Sequence, residues 1–196
     1  MQLFGFKSFD ELLAFHCAPV FAGIKPSNMI SLLPDDVEEI NILLAEYNKQ
    51  FASKGLVFRK LCSGTKRILI LVYNPIKLFS LLKEPGYQAY LIAVGYEANA
   101  SLENYLCCLG NKLDAQGNFP HEIGIFLGYP LEDVLGFVLN KGEYCKYSGY
   151  WKVYGDVPKA RKLFAAYEHC RNFILRRLDE GLTLQAAITV QSCSII

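Results

Sequence analysis

Capping and turn residues divide this chain into short segments, and this division constrains its fold more than any other feature. Helix-start signals, either a capping residue or a proline in the first turn, stand at Ser8, Asn74, Pro130 and Asp156. Apolar residues at helical spacing follow each of these starts. Residues 56–62 and 67–73 are β-rich runs with the lengths of hairpin strands. The sequence therefore predicts an α+β fold, with a small mixed or antiparallel sheet covered by several helices.

Particular elements follow from the same signals. The helix that starts at Ser8 should end before Pro19, because proline disfavours helix at the residue before it. Residues 121–128 should be extended, and residues 144–154, where aromatic and polar residues alternate, should form a strand. The longest helix should run from Asp156 to Gly181. We expect residues 1–181 to form one domain and residues 182–196 a short C-terminal helix or tail.

Composition excludes several classes of protein. Of the 196 residues, 52% are hydrophobic and 20% are charged, which excludes intrinsic disorder. Twenty basic and nineteen acidic residues give a net charge of +1, so no bulk field attracts nucleic acid or anionic lipid. The longest uncharged stretch, residues 181–196, is too short and too polar to span a bilayer. We therefore expect neither nucleic acid nor membrane as a partner.

Cysteine usage indicates a reducing compartment. There are seven cysteines, an odd number, and none forms a CxxC pair. This pattern does not favour a zinc ribbon or a four-cysteine iron–sulfur motif. The first residues also lack a basic region ahead of an apolar stretch, so we expect a cytoplasmic protein.

The first candidate site segment lies near the start of the chain. His16 and Cys17 precede Pro19, at the expected helix end, where unpaired carbonyls and the helix dipole favour a protonated histidine. The same end of a helix does not stabilise a thiolate, which weakens Cys17 as a nucleophile. Lys25 and Asn28 follow on a loop and are candidate ligand-binding residues.

The second segment is His121-Glu122, between Pro120 and Gly124. The two side chains could act as general base and acid, or as a metal ligand and its supporting carboxylate. On an extended run they point to opposite faces, so both reach one pocket only if the backbone bends. The alternative interpretation is structural, with His121 at a strand entrance and Glu122 in solvent.

The third segment holds Tyr150 and Trp151, the only tryptophan of the chain. Aromatic residues there could form the wall of a site for a planar ligand, or they could be ordinary sheet packing. We include both residues among the candidate ligand-binding residues.

The three segments together resemble a family of uncharacterised proteins found mainly in anaerobic clostridia and their relatives. The resemblance is carried by His16-Cys17-Ala18-Pro19 with Gly23-Ile24-Lys25-Pro26, by residues 121–134, and by residues 149–154. It extends over nearly the whole chain. It implies a bacterial, cytosolic setting at low oxygen, but no function and no catalytic residue, because that family is of unknown function.

Three functions remain open at this stage, and whether the protein is an enzyme remains open with them. The leading hypothesis is a protein that binds a small ligand, a metal or a cofactor of unknown identity. The pocket would draw on His16, Cys17, Lys25, His121, Tyr150 and Trp151, and the candidate metal ligands are His16, Cys17 and His121. The second is a cysteine-dependent hydrolase or transferase with Cys17 as nucleophile, His121 as base and Glu122 as orienting group. The third is a non-catalytic module that binds a protein partner through Tyr150 and Trp151 or through the uncharged tail.

Overall fold

Three antiparallel strands form the centre of the fold. The computed structural model describes residues 5–33, 37–63, 67–114 and 119–189. The strands are β1 (Ser27–Leu32), β2 (Val57–Ser63) and β3 (Ile68–Tyr73), in the order β1-β3-β2. Val72 in β3 pairs with both Asn28 and Phe58, and the β2 register shifts between Lys60 and Cys62. The sheet is therefore antiparallel, one of the two arrangements that the sequence predicts.

Helices cover both faces of this sheet, which confirms the predicted α+β class. They are α1 (Phe9–Phe21), α2 (Val37–Phe51), α3 (Pro75–Leu82), α4 (Pro85–Ala93), α5 (Leu102–Asp114), α6 (Ile123–Phe126), α7 (Leu131–Leu139), α8 (Val157–Asp179) and α9 (Leu184–Ala187). A second, two-stranded sheet pairs β4 (Tyr147–Ser148) with β5 (Lys152–Val153). Within the described ranges, no helix combines the length and apolar character that crossing a bilayer requires.

The middle strand supplies side chains to two cores. Ile68, Ile70 and Val72 are buried against α1, α2 and α8, while Leu71 and Tyr73 are buried against α3, α4 and α5 on the other face. Successive residues of a strand point to opposite faces, so a strand covered on both sides is apolar at every position. This explains why β3 reads as a continuous apolar run.

The first helix continues past Pro19, so the prediction that it ends before this residue is wrong. Proline removes one hydrogen bond from the helix and disfavours it, but Ala18, Pro19 and Val20 are all buried in the core. The C-terminal end of the helix is also well bonded, since the Pro19 carbonyl accepts hydrogen bonds from the amides of Ile24 (2.9 Å) and Lys25 (3.0 Å). Burial and these two bonds outweigh the proline's preference.

Residues 121–128 are a turn and a short helix, so the extended conformation predicted for them is wrong. Helix α6 spans Ile123–Phe126, and the amide of Tyr129 then donates to the Gly124 carbonyl at 2.8 Å. Every residue from 122 to 127 is buried. A short run that is buried all round has no periodicity, and for this reason its pattern does not distinguish strand from helix.

Residues 144–154 form a tight hairpin rather than the single predicted strand. The chain reverses at Gly149 and Tyr150, where the Gly149 amide donates to the Trp151 carbonyl at 3.1 Å. A Cβ at Gly149 would lie 2.3 Å from the Phe164 ring on α8, so only glycine allows the turn to approach this helix.

The helices that start after Asn74, Pro130 and Asp156 and the hairpin of β2 and β3 confirm the sequence predictions. Helix α8 begins at the Asp156 cap, whose side chain accepts from the Lys159 amide at 2.9 Å. In the C-terminal segment, Leu184 and Ala187 of α9 are buried in the same core as α1. The rest of that segment, residues 190–196, lies outside the described residues.

Candidate functional site

An apolar cavity of about 370 Å³ lies between α6, α7 and the hairpin of β4 and β5. Gly124 and Val134 line it from the two helices. Most of the remaining wall consists of rings, contributed by Phe119, His121, Tyr129, Phe137, Tyr150 and Trp151. Three of the residues singled out in the sequence, His121, Tyr150 and Trp151, therefore line one cavity.

Tyr129 and Trp151 form a stacked pair in this wall. Their rings stack with centroids 4.8 Å apart and an angle of 25° between the planes. Trp151 also meets Phe164 of α8 edge-to-face, at 4.5 Å and 87°. Both arrangements are favourable for aromatic pairs. Trp151 is only 7% exposed, so its position is set by packing before any ligand arrives.

A buried carboxylate holds the hairpin against α7. Asp133 Oδ2 accepts a hydrogen bond from Trp151 Nε1 at 2.7 Å, and Oδ1 accepts from the amides of Tyr154 (2.7 Å) and Gly155 (2.8 Å). The residue is 3% exposed and lines the cavity. Hydrogen bonds to an ionised group are roughly twice as strong as neutral ones. Asp133 therefore fixes both the ring of Trp151 and the backbone that follows the hairpin.

The adjacent pair His121 and Glu122 is divided between two environments. The His121 ring meets Phe137 at 5.1 Å and 60° at the cavity. Glu122 is buried elsewhere, where it accepts from Lys112 Nζ at 2.9 Å and from the Tyr96 hydroxyl at 3.4 Å. The pair diverges because a helical turn, rather than an extended strand, separates the two side chains. Glu122 is thus in an ion pair and does not orient His121.

Lys25 is a buried cation behind the aromatic wall. Its side chain is 4% exposed, Nζ donates to Asn28 Oδ1 at 2.5 Å, and Nζ lies 5.3 Å from the centre of the Tyr129 ring. Asn28 Nδ2 in turn donates to the His16 carbonyl at 2.5 Å. Burial lowers the pKa of Lys25 from its ordinary 10.5 to about 8, since the charged form loses hydration.

The loop that carries Lys25 is held beside α6. Ser27, two residues after Lys25, is fully buried and donates from Oγ to the Phe126 carbonyl at 2.5 Å. Gly128 has φ of +75°, and a Cβ there would lie 2.6 Å from Pro26 Cδ. Only glycine fits this close approach, which brings the start of β1 against the residue that precedes Tyr129.

Cys17 is fully buried beside Lys25. Burial raises the pKa of its thiol to about 12, and the nearby Lys25 charge only partly opposes this. The thiolate is the nucleophilic form of cysteine, and at neutral pH this thiol is protonated and shielded from solvent. The geometry therefore disfavours the hydrolase or transferase that uses Cys17, His121 and Glu122 together.

Alkylation should separate Cys17 from the exposed thiols. In the folded protein at pH 7.5, we expect iodoacetamide to label Cys107 fully before Cys17 is detectably modified, as measured by peptide mass mapping. Cys107 is exposed, and its thiol donates to Glu103 Oε1 at 3.2 Å. A urea-unfolded sample, in which both residues should be labelled, is the control. Native labelling of Cys17 as fast as Cys107 would restore the cysteine-enzyme hypothesis.

The imidazole of His16 lies outside the cavity lining. The ring packs on Phe15 at 5.0 Å and on Phe6 at 5.7 Å, and its pKa is lowered by burial and by the nearby Arg171 charge. Its link to the site is through its backbone carbonyl, which accepts from Asn28. The structure therefore divides these candidate site residues into two groups. His121, Tyr150 and Trp151 lie at the cavity, and Cys17, Lys25 and Asn28 lie behind Tyr129.

Comparison with known proteins identifies the family of the chain. A family model described as "Protein of unknown function (DUF3793)" matches residues 13–188. The chain belongs to this family. No curated protein and no solved structure matches it. The family match carries no source organism, so the bacterial, low-oxygen setting stays a prediction.

The candidate metal ligands of this DUF3793 protein do not form a cluster. Within residues 5–33, 37–63, 67–114 and 119–189, no three His, Cys, Asp or Glu side chains are grouped so that they could hold a metal ion. The proposed ligands His16, Cys17 and His121 accordingly do not meet as such a set. The cavity residues of this DUF3793 protein offer mainly ring carbons instead.

Sequence reasoning missed Tyr129, Asp133 and Phe137 as site residues. Asp133 stands in the first turn of α7, where an acidic residue is ordinarily explained by the helix dipole. Asp133 and Phe137 are four residues apart and therefore share a helix face with each other. That spacing, beside the apolar residues of α7, is the one signal that could have drawn attention to them.

Proposed function

We propose that this protein binds a small, planar and mainly apolar organic compound in the cavity between α6, α7 and the hairpin. The observation that carries the proposal is the cavity itself, about 370 Å³ with six rings in its wall. Ligand sites in proteins are typically about 300–1,000 Å³ and are lined mainly by apolar and aromatic side chains. This volume suits a compound of one or two fused rings.

The shape of the wall favours a planar ligand. The stacked rings of Tyr129 and Trp151 belong to different elements, one after α6 and the other in the hairpin. A flat ring that lies along such a wall gains offset-stacking or edge-to-face contacts in addition to apolar burial. Bulky saturated compounds of the same volume would gain only the burial.

The cavity is also formed in advance of binding. Asp133 fixes Trp151 and the backbone of Tyr154 and Gly155, so the hairpin wall does not have to order itself around a ligand. Preorganisation of this kind increases affinity, because little conformational entropy remains to be lost on binding.

Tryptophan fluorescence provides a direct test, since the chain has one tryptophan and it lines the cavity. We expect the neutral probe N-phenyl-1-naphthylamine to quench Trp151 saturably, at one site per chain. A dissociation constant on the order of 10–100 μM is expected for a probe of this size. Absence of saturable quenching would contradict the proposal.

A pair of tyrosine variants locates the binding. Tyr150→Ala should weaken binding of the probe about tenfold, because it removes one aromatic ring from the cavity wall. Tyr144→Ala is the matched control, as Tyr144 is exposed in the same region and does not line the cavity. Equal affinities for the Tyr150 variant and the unmodified protein would place the probe elsewhere.

A native mass spectrum of protein purified without oxygen addresses the natural ligand. Additional mass that is lost on denaturation would give the size of the bound compound. We expect this mass to be no larger than that of a compound that fills a volume of about 370 Å³.

The interaction module remains a second prediction from the sequence. Of its two contact residues, Tyr150 is 40% exposed and Trp151 is buried, so only Tyr150 could meet a protein partner directly. Residues 190–196 of the uncharged tail lie outside the described residues. The ring-lined cavity therefore supports ligand binding more strongly than partner binding.

A further inference from the structure

We infer that the compound bound in this cavity is an aromatic acid, whose acidic group is held by Lys152 and His121 at the end of the cavity marked by Phe137. This inference rests on the proposed function, because it names the chemical class of ligand for the same cavity. Both basic residues belong to the cavity wall.

Phe137 places the two basic side chains at the same end. The His121 ring lies 5.1 Å from the Phe137 ring. A methyl group built on Gly142 would lie 3.1 Å from the Phe137 ring and 3.7 Å from Lys152 Nζ. Gly142 thus faces both the ring and the ammonium group. The stacked Tyr129 and Trp151 rings form a separate part of the wall.

Lys152 is held in position and still has donors to offer. Its Nζ donates to the Gly142 carbonyl at 2.6 Å, which fixes the ammonium next to the cavity. An ammonium group has three N–H donors, and the side chain is exposed. The remaining donors face solvent or a ligand, and a carboxylate is their strongest partner. His121, whose ring also contacts Phe137, adds an imidazole donor.

The charges around the cavity favour an anion. Asp133 is the negative residue in the lining, but its two oxygens already accept three N–H hydrogen bonds. Lys152 in the lining and Lys25 behind the Tyr129 ring are cations. With three of its lone pairs occupied by these donors, Asp133 has little acceptor capacity left for a cationic ligand. A ligand with its ring beside Trp151 and its acid beside Lys152 matches both parts of the wall.

Three probes of equal size test the charge of the ligand. We expect 2-naphthoate to bind at least tenfold more tightly than its neutral analogue 2-naphthamide, and 2-naphthylmethylammonium to bind most weakly. Affinity is measured by quenching of Trp151 and, independently, by calorimetry. The preference for the acid should decrease as salt is raised, because Lys152 is exposed and salt screens its charge.

Variants of Lys152 assign the preference to this side chain. Lys152→Gln should remove the tenfold preference for 2-naphthoate over 2-naphthamide, while Lys152→Arg should keep most of it. Lys146→Gln is the matched control, because Lys146 is an exposed lysine next to the same hairpin that does not line the cavity. His121→Gln gives a second test if the Lys152 variants do not fold.

The outcomes distinguish this inference from the proposed function. If the amide binds saturably and the acid binds no better, the aromatic-acid inference is overturned and the cavity remains a ligand site. If the acid is preferred but Lys152→Gln and His121→Gln both retain the preference, the assignment to these residues is overturned. If none of the three probes binds, the proposed function fails as well.

Discussion

Replacing Asp133 with alanine should lower the free energy of unfolding by about 4 kcal/mol, because one buried and two half-buried N–H donors lose a charged acceptor. The donors are Trp151 Nε1 and the amides of Tyr154 and Gly155, and all three hydrogen bonds are 2.7–2.8 Å long. The hairpin should therefore loosen, and Trp151 emission should shift to the red.

Asp133→Asn should have an intermediate effect of about 2 kcal/mol, because the amide retains one acceptor oxygen but turns a donor toward another donor. Both variants are measured by urea unfolding followed by circular dichroism, with Trp151 emission as the local probe. Glu132→Ala is the matched control, since Glu132 is an exposed acidic residue at the preceding position; we expect a change within about 0.5 kcal/mol. Equal losses for the Asp133 and Glu132 variants would show that Asp133 does not anchor the hairpin.

Replacing Lys25 with methionine should stabilise the protein at neutral pH. A pKa that falls from 10.5 to about 8 on folding corresponds to about 3 kcal/mol of unfavourable charge burial. The variant loses the hydrogen bond to Asn28, worth about 1 kcal/mol. The free energy of unfolding at pH 7 should therefore rise by about 2 kcal/mol, since apolar replacement of a buried charge is often stabilising.

The difference in stability between the Lys25→Met variant and the unmodified protein should depend on pH. Below about pH 8 the lysine is charged in both states, so the difference between variant and unmodified protein is constant. From there to pH 10.5 the unfolded chain binds the proton that the folded chain has lost, so the unmodified protein gains stability as pH rises. The two stability curves should cross near pH ~9.5, and above about pH 10.5 the variant is weaker by its lost hydrogen bond.

Urea unfolding across pH 6–11 measures this difference, and Lys162→Met is the matched control. Lys162 is exposed on α8, and its replacement should change stability by less than about 0.5 kcal/mol at every pH. A Lys25→Met variant that is less stable at pH 7 would contradict the account of Lys25 as a destabilising buried cation. It would indicate instead that its contacts with Asn28 and Tyr129 outweigh the cost of burying the charge.

Elements with clear ends could be predicted from the sequence. The caps at Ser8, Asn74 and Asp156 mark real helix starts, because each side chain accepts a hydrogen bond from a backbone amide three residues later. The predictions failed where tertiary contacts override local preference. Pro19 is inside α1 because burial compensates its missing hydrogen bond, and α6 is too short and too fully buried to have a period.

The candidate site was predictable in its unusual residues and not in its assembly. Trp151, Tyr150 and His121 attract attention because tryptophan and histidine are rare in this chain, and all three line the cavity. The sequence gives no sign that Glu122 turns toward Lys112, or that Asp133 bonds the Trp151 indole. Such pairings depend on how helices pack, and a single residue's type does not determine them.

The central strand β3 also limits how the chain can change in length. It has cores on both faces, with Ile70 and Val72 on one side and Leu71 and Tyr73 on the other. Adding or removing one residue inside it would turn each of these side chains into the opposite core, where the space has a different shape. Strand β3 thus tolerates insertion only beyond its ends. The cavity walls lie outside that strand, on α6, α7 and the hairpin of β4 and β5, so a change of length in the hairpin turn leaves the β3 register intact.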